Sequence, residues 1–305
     1  MFHEGELSVQ ERAGVRFEAA RLSGMLAPGG LSRGAGGWLA ERTLAALTGR
    51  DRDGRLWVSA LTGPPGFLAG LGQTLRVAAV PAPGDPLHDL PAGQRVGLIA
   101  IDFATRRRMR VNGVLSGTLS GTLTGAGGGL TVDVAEAFGN CPQYIHPRRL
   151  ASAPTPGGAV PGTFTVAEAL TADGEATIRG ADTFFLGTTH PDRGADASHR
   201  GGPRGFLRAG DGGLWWPDYP GNNMFNSLGN LATDPSAALL VPDFATGRTL
   251  QLSGTAAVEW TEPGTGAPDE VTGRRVRFHP AAVVTGEHPA LVAAADVPDP
   301  RGVRR

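Results

Sequence analysis

Short apolar runs, each ended by Gly, Pro or Asp, recur along almost the whole chain. Runs this short, β-branched or alternating with polar positions, predict strands rather than helices. In the first half they cover residues 56–61, 75–80, 96–103, 109–115 and 130–135. In the second half they cover 183–189, 205–208, 214–216, 238–244, 249–260 and 275–278. Few helices are expected. Residues 4–20 read as one helix, and Thr165 to Glu168 has the spacing of a capping box that would start another. Residues 38–47 read as helix turning to strand. The expected fold is therefore mainly β, a β-barrel with a few helices, because closure hides the edges that such apolar strands would expose.

The pattern repeats. Residues 96–113 laid over 237–254 give seven identical pairs of eighteen, including Asp102-Phe103-Ala104-Thr105 against Asp243-Phe244-Ala245-Thr246. Upstream, Gly63-Pro64-Pro65-Gly66-Phe67-Leu68 matches Gly202-Pro203-Arg204-Gly205-Phe206-Leu207. The offsets are 141 and 139, so both blocks belong to one repeating unit. In each copy the Asp-Phe-Ala-Thr segment lies between two apolar runs and predicts a hairpin turn. The expected organisation is a first copy over 1–150 with the N-terminal helix, a Pro/Gly/Ala-rich linker over 151–162, a second copy over 163–285 and a mobile tail over 286–305.

Composition narrows the chemistry. With 28 basic and 29 acidic residues the net charge is -1, and no basic excess points to nucleic acid. Every basic residue is arginine, which excludes a lysine Schiff base and a Walker A lysine. A side chain that holds an anion must then be Arg or His, and the planar guanidinium suits phosphate. The single cysteine, Cys141, allows no internal disulfide, and a small buried residue is a better reading of it than a redox thiol. The N-terminus has no apolar signal segment and no run is long enough to span a bilayer, so a cytoplasmic location with no membrane partner is expected. His190 and His199 lack a third ligand nearby in sequence, and no metal site is expected. Arg106-Arg107-Arg108 reads as a solvated hairpin tip.

Two polar constellations stand out. The first is Asp196-Ala197-Ser198-His199-Arg200-Gly201-Gly202-Pro203-Arg204. The first copy keeps its glycine and proline but has Ala60, Leu61 and Pro65 opposite His199, Arg200 and Arg204, so the scaffold does not need those polar groups. The second runs from Trp215 through Asn222, Asn223 and Asn226 to Asn230, where amides could read the edge of a heteroaromatic ring. A solvated turn and a capped helix remain the plain alternatives for these stretches.

Several strings resemble predicted flavin-nucleotide-binding relatives of pyridoxamine 5'-phosphate oxidase. They are Phe2-His3-Glu4-Gly5-Glu6 with Gln10, Phe138-Gly139-Asn140-Cys141-Pro142-Gln143-Tyr144-Ile145, Ser198-His199-Arg200-Gly201-Gly202-Pro203, and Gly221-Asn222-Asn223 running on to Gly229-Asn230-Leu231. The resemblance covers most of residues 1–280. It implies two tandem split barrels that bind FMN between them, an intrachain version of the pair that two identical chains form in that superfamily. It further implies a flavin-dependent oxidoreductase acting on an unknown small molecule or electron donor, with a homodimer as a further option. The cofactor-binding residues it implies are Ser198, His199, Arg200, Gly201, Gly202, Arg204, Arg208, Asn222, Asn223 and Asn230. The oxidases carry a Ser-Arg-Lys-like phosphate grip where this chain has Asn222-Asn223-Met224, so the phosphate would fall to Arg200, Arg204 or Arg208. The alternative is a non-catalytic module for haem, a deazaflavin or a protein partner.

Overall fold

The computed structural model describes residues 1–26, 29–119, 128–150, 163–167, 169–210, 212–262 and 269–296. The expected linker, 151–162, lies outside the described residues.

The first unit is built from helix α1 (Glu4–Arg12), α2 (Arg16–Ala20) and α3 (Arg33–Ala40), then strands β1 (Leu44–Arg50), β2 (Leu56–Thr62), β3 (Leu68–Leu71), β4 (Thr74–Val77), β5 (Arg95–Asp102), β6 (Arg107–Leu119), β7 (Gly129–Gly139) and β8 (Arg148–Leu150). The second unit follows with β9 (Thr165–Ala167), α4 (Ala172–Gly180), β10 (Thr183–His190), β11 (Gly194–Gly201), β12 (Arg208–Gly210), β13 (Gly213–Pro217), α5 (Asn226–Thr233), β14 (Ser236–Pro242), β15 (Arg248–Trp260), β16 (Arg274–Glu287) and β17 (Ala293–Asp296).

The two main sheets run in the orders β2-β1-β5-β6-β7-β4-β3 and β11-β10-β14-β15-β16-β13-β12. These are the same order, shifted by nine strands. Register repeats as well: Val96 pairs with Gly113 and Ala237 with Gly254, and Leu47 pairs with Ser59 as Leu186 does with Ser198. Even the bulge recurs, between Asn112 and Gly113 in β6 and between Ser253 and Gly254 in β15. A Cβ on Gly113 would sit 2.1 Å from the Asp133 carbonyl oxygen, and one on Gly254 2.0 Å from that of His279. Glycine lets the bulged strand approach its neighbour at both places.

Neither sheet closes, contrary to the barrel expected from the strand pattern. The hydrogen-bonded path of each ends on two free strands, β2 and β3 in one, β11 and β12 in the other. The reason is that β2 and β11 are covered by the opposite unit. β2 packs on β10, β14 and β15, and β11 packs on β1, β5 and β6. Packing of this kind shelters an edge as closure would.

Three cores result. In β1, Ala45 and Leu47 face the first unit's own core, while Leu44 and Ala46 face a core shared between the units. In β10, Phe184 and Leu186 face the second unit's core and Phe185 the shared one. Strands covered on both faces lose the alternation of apolar and polar positions, as residues 44–47 in β1 and 184–186 in β10 do. Phe185 is 1% exposed, and burial of such a side chain contributes roughly 1.5–3 kcal/mol.

Other expectations change at the chain's margins. The N-terminal helix breaks in two at Gly14, whose φ of +70° ends α1. Helix α1 packs on α5, so it serves the second unit rather than the first. Thr165 does not cap a helix: Thr165–Ala167 pairs with β16, and the helix starts at Ala172 with Thr171 as its cap. Strand β16 runs to Glu287, and β17 pairs with β8, where a tail without pattern was expected. Among the described residues no helix is long and apolar enough to cross a membrane.

Candidate functional site

A cleft of about 110 Å³ lies where the two units meet. It is lined by β6, the loop after β7, β11, the end of β13 and the loop into α5. Of the residues expected from sequence, it gathers Ser198, His199, Arg200, Gly201, Asn222 and Asn223. Gly201 has no room for a side chain, because a Cβ there would meet the Tyr144 carbonyl oxygen at 1.9 Å. Gly202 lies just behind, with its carbonyl oxygen accepting from His146 Nε2 at 2.8 Å.

Three expected residues lie elsewhere. Arg204 lines a separate surface cavity with Arg148, Asp173 and Arg248. Arg208 pairs with Asp269 at 2.8 Å and stacks over Trp215, because the short edge strand β12 turns it away from the cleft. Asn230 is an internal strut: it donates to Thr188 Oγ1 at 3.0 Å and faces His3 Nε2 at 3.1 Å.

Two arginines of the first unit fill the gap. Arg110 donates from Nη1 to Asp196 at 2.9 Å and from Nη2 to Ser198 Oγ at 2.6 Å. Arg108 donates from Nη1 to His199 Nδ1 at 2.7 Å and to the His199 carbonyl oxygen at 3.2 Å. The expected solvated tip is therefore only partly that: Arg107 is exposed, while Arg108 is half-buried in the cleft. A signal for this existed. Arg108, Arg110 and Asn112 alternate with apolar Met109 and Val111, as one polar face of a strand does.

Cations outnumber anions at the site. Arg110 pairs with Asp196, and Arg200 lies 3.5 Å from Asp218, which Arg274 also binds at 2.9 Å. Arg108 has no carboxylate partner among the described residues. Burial, then the charges of Arg110 and Arg200, push its guanidinium down to about 9, so it remains cationic at neutral pH. Burial likewise lowers Arg200. His199 is 4% exposed and is held well below its ordinary value, first by burial and then by the Arg108 charge, so it is neutral. Among the described residues its Nε2 has no hydrogen-bond partner, and neither do the Nε atoms of Arg108, Arg110 and Arg200. Orphaned donors of this kind, around a surplus of positive charge, fit an anionic ligand.

The loop opposite is held in a strained shape. Asn223 and Phe225 have φ of +61° and +59°. Asn222 Oδ1 accepts from the Met224 backbone N–H at 3.2 Å and so closes the turn that leads into α5. Tyr144 and Tyr219 stack at 5.1 Å, and the Tyr144 hydroxyl donates to the Pro220 carbonyl oxygen at 2.9 Å. Cys141 is half-buried at the cleft wall.

Among the described residues one cluster has metal-ligand spacing, His3, Glu4 and His190, with ligand atoms within 4.8 Å of one another. Its protons oppose that use. His3 Nδ1 accepts from Gly5 N–H, and His190 Nδ1 accepts from Asp192 and Arg193 N–H. Each ring then carries its proton on Nε2, the nitrogen turned to Asn230 in one case and Glu4 in the other.

The fold and site thus define a two-unit β protein with an arginine-rich cleft at the joint. Residues 170–267 match the family model described as pyridoxamine 5'-phosphate oxidase. That match lies within the second unit. Among solved structures, HupZ of Group A Streptococcus is 13% identical and aligns over 37% of this chain and 90% of its own, with a TM-score of 0.30. HutZ, the heme storage protein of Vibrio cholerae, is 10% identical over 38% of this chain and 93% of its own, with a TM-score of 0.30. An FAD binding protein of Mycobacterium smegmatis is 14% identical over 41% and 97%, with a TM-score of 0.26. No curated protein matches the chain.

Proposed function

We propose that the cleft binds FMN and that the protein is a flavin-dependent oxidoreductase acting on a small molecule. The observation that carries this reading is the convergence of Arg108, Arg110 and Arg200, drawn from both units, on one cleft that His199 also lines, with unpartnered buried donors on all four side chains. Arg108 and Arg200 would hold the phosphate, and His199 with the Asn222–Asn223 turn would flank the ring. The flavin, when bound, would supply the electron chemistry. The chain's own residues bind, orient and exclude water. Asp196 and Asp218 are both tied to arginines, so neither is free to act as a general base. On this reading the units arose by duplication and fusion, and together they replace a pair of identical chains. A visible spectrum of the purified protein, followed by FMN titration, tests the proposal. Colourless protein that takes up no added FMN would end it.

A second reading is a binding module without turnover, for haem, a deazaflavin or a protein partner. It is favoured by the small cavity, about 110 Å³ against the roughly 300 Å³ or more usual for a small-molecule pocket, and by the lack of a free carboxylate. A Soret band, or deazaflavin uptake without FMN uptake, would select it.

A further inference from the structure

We infer that His199 recognises a hydrogen-bond acceptor on the ligand through Nε2–H, and that Arg108, reaching across from the other unit, fixes that polarity. The inference rests on the cleft being the ligand site and specifies what it selects.

The argument starts from the donor inventory. A guanidinium can only donate. The 2.7 Å contact from Arg108 Nη1 therefore requires a lone pair on His199 Nδ1. A neutral imidazole carries one proton, so it sits on Nε2. The groups that face the ring reinforce neutrality. They are Arg108 on β6, Arg148 on β8, His146 in the loop before it, and Arg200 on β11. None is a carboxylate that could stabilise an imidazolium. Phe103 and Phe185 flank the ring edge-on, each with centroids 6.0 Å away.

Nε2–H is left as a buried donor with no partner. Such a group costs about 1–3 kcal/mol unless something accepts from it. The other charged side chains of the first-unit wall and of β11 in the cleft, Arg108, Arg110 and Arg200, are donors as well. The complement of this surface is an anion with an adjacent oxygen acceptor, either a ring carbonyl or an oxygen of the phosphate itself. A ligand that offers a donor or a cation at that point is refused. Arg108 is thus a positioning residue, acting on the ligand through His199 as well as by its charge.

Nitrogen-15 NMR of the histidine rings tests the polarity without any ligand. The proton is expected on Nε2 of His199 in the wild type, and mixed between the two nitrogens in Arg108→Met. A proton on Nδ1 in the wild type overturns the inference. Ligand titrations test the recognition. His199→Phe should weaken FMN binding about tenfold, the equivalent of ~1.4 kcal/mol, while His199→Gln, which keeps a donor, should lose less. Equal losses for riboflavin and FMN place the acceptor on the ring. A loss confined to FMN and inorganic phosphate places it on the phosphate. Unchanged FMN affinity in His199→Phe overturns the inference. If the wild type binds no FMN, the flavin reading falls alone. Inorganic phosphate then becomes the probe, and its unchanged affinity in His199→Phe is equally fatal.

Discussion

Arg110 and Gln251 occupy equivalent positions of the two units, and each donates to the equivalent serine of the other unit. Arg110 Nη2 reaches Ser198 Oγ at 2.6 Å, and Gln251 Nε2 reaches Ser59 Oγ at 3.1 Å. The geometry is shared but the chemistry is not. Beside Gln251 the loop after β4 inserts Asp85, which accepts from Ser59 Oγ, Leu87 N–H and Gln251 Nε2. Its neighbours Leu87 and Leu90 are buried in the first unit's core. The pseudo-symmetric counterpart of the cleft is therefore filled by the protein itself.

One ligand per chain is the expected stoichiometry. Calorimetric titration with FMN should saturate near one equivalent, and saturation near two would contradict the filled counterpart.

Arginine replacements should discriminate sharply by position. Arg108→Ala and Arg200→Ala should each weaken FMN binding about tenfold or more, since a charge-assisted hydrogen bond is worth about 1.5–3 kcal/mol. Arg208→Ala should leave affinity unchanged, because its guanidinium is spent on Asp269 outside the cleft. Equilibrium dialysis of the three variants would show it, and a loss confined to Arg208→Ala would reverse the assignment.

Asp85 should leave a signature in pH. Burial raises its carboxyl from 3.8 to about 6, against the hydrogen bonds that lower it. Between those values the folded chain holds a proton that the unfolded chain has released. The stabilisation is complete below about 3.8 and is lost as pH rises through about 6. Its ceiling is about 3 kcal/mol. Urea unfolding of the wild type against Asp85→Asn should thus favour the wild type more at about pH 5 than at about pH 7.5. A difference that does not move with pH would contradict the raised value.

The contact of α1 with α5 leaves no space for a methyl group. A Cβ on Gly229 would lie 2.6 Å from Glu6 N and 2.7 Å from Glu6 Cα. Gly229→Ala should cost about 1–3 kcal/mol and loosen α1, since backbone cannot yield as a side chain can. Urea midpoint and the rate of proteolysis near the N-terminus both report it. Because α5 carries Asn226, Ser227 and Leu228 at the cleft wall, ligand affinity should fall in parallel.

Much of the scaffold was legible in the sequence for a physical reason. Apolar runs ended by turn residues are what doubly covered strands look like, and the segment at Asp102 to Thr105 forms the hairpin turn between β5 and β6 as read. Openness was not legible, because a strand sheltered by another unit has the same composition as one sheltered by its own sheet. The site was legible in its second half only. Ser198 to Gly201 and the Asn222–Asn223 turn stood out as local clusters. Arg108 and Arg110 join them across 91 and 88 positions, through a packing that no local pattern encodes. Arg204 and Arg208 lie close to the cluster in sequence, but the fold places them outside the cleft.

Helix α1 starts the chain yet rests on the later unit, and β17 near the far end pairs with β8 of the earlier one. Each half thus wears a piece borrowed from its sibling. A fragment trimmed to 170–267 would keep its family likeness and forfeit two of the cleft's three arginines together with the floor beneath α5. The core shared around Phe185, by contrast, should keep the two halves clasped without a covalent link between them.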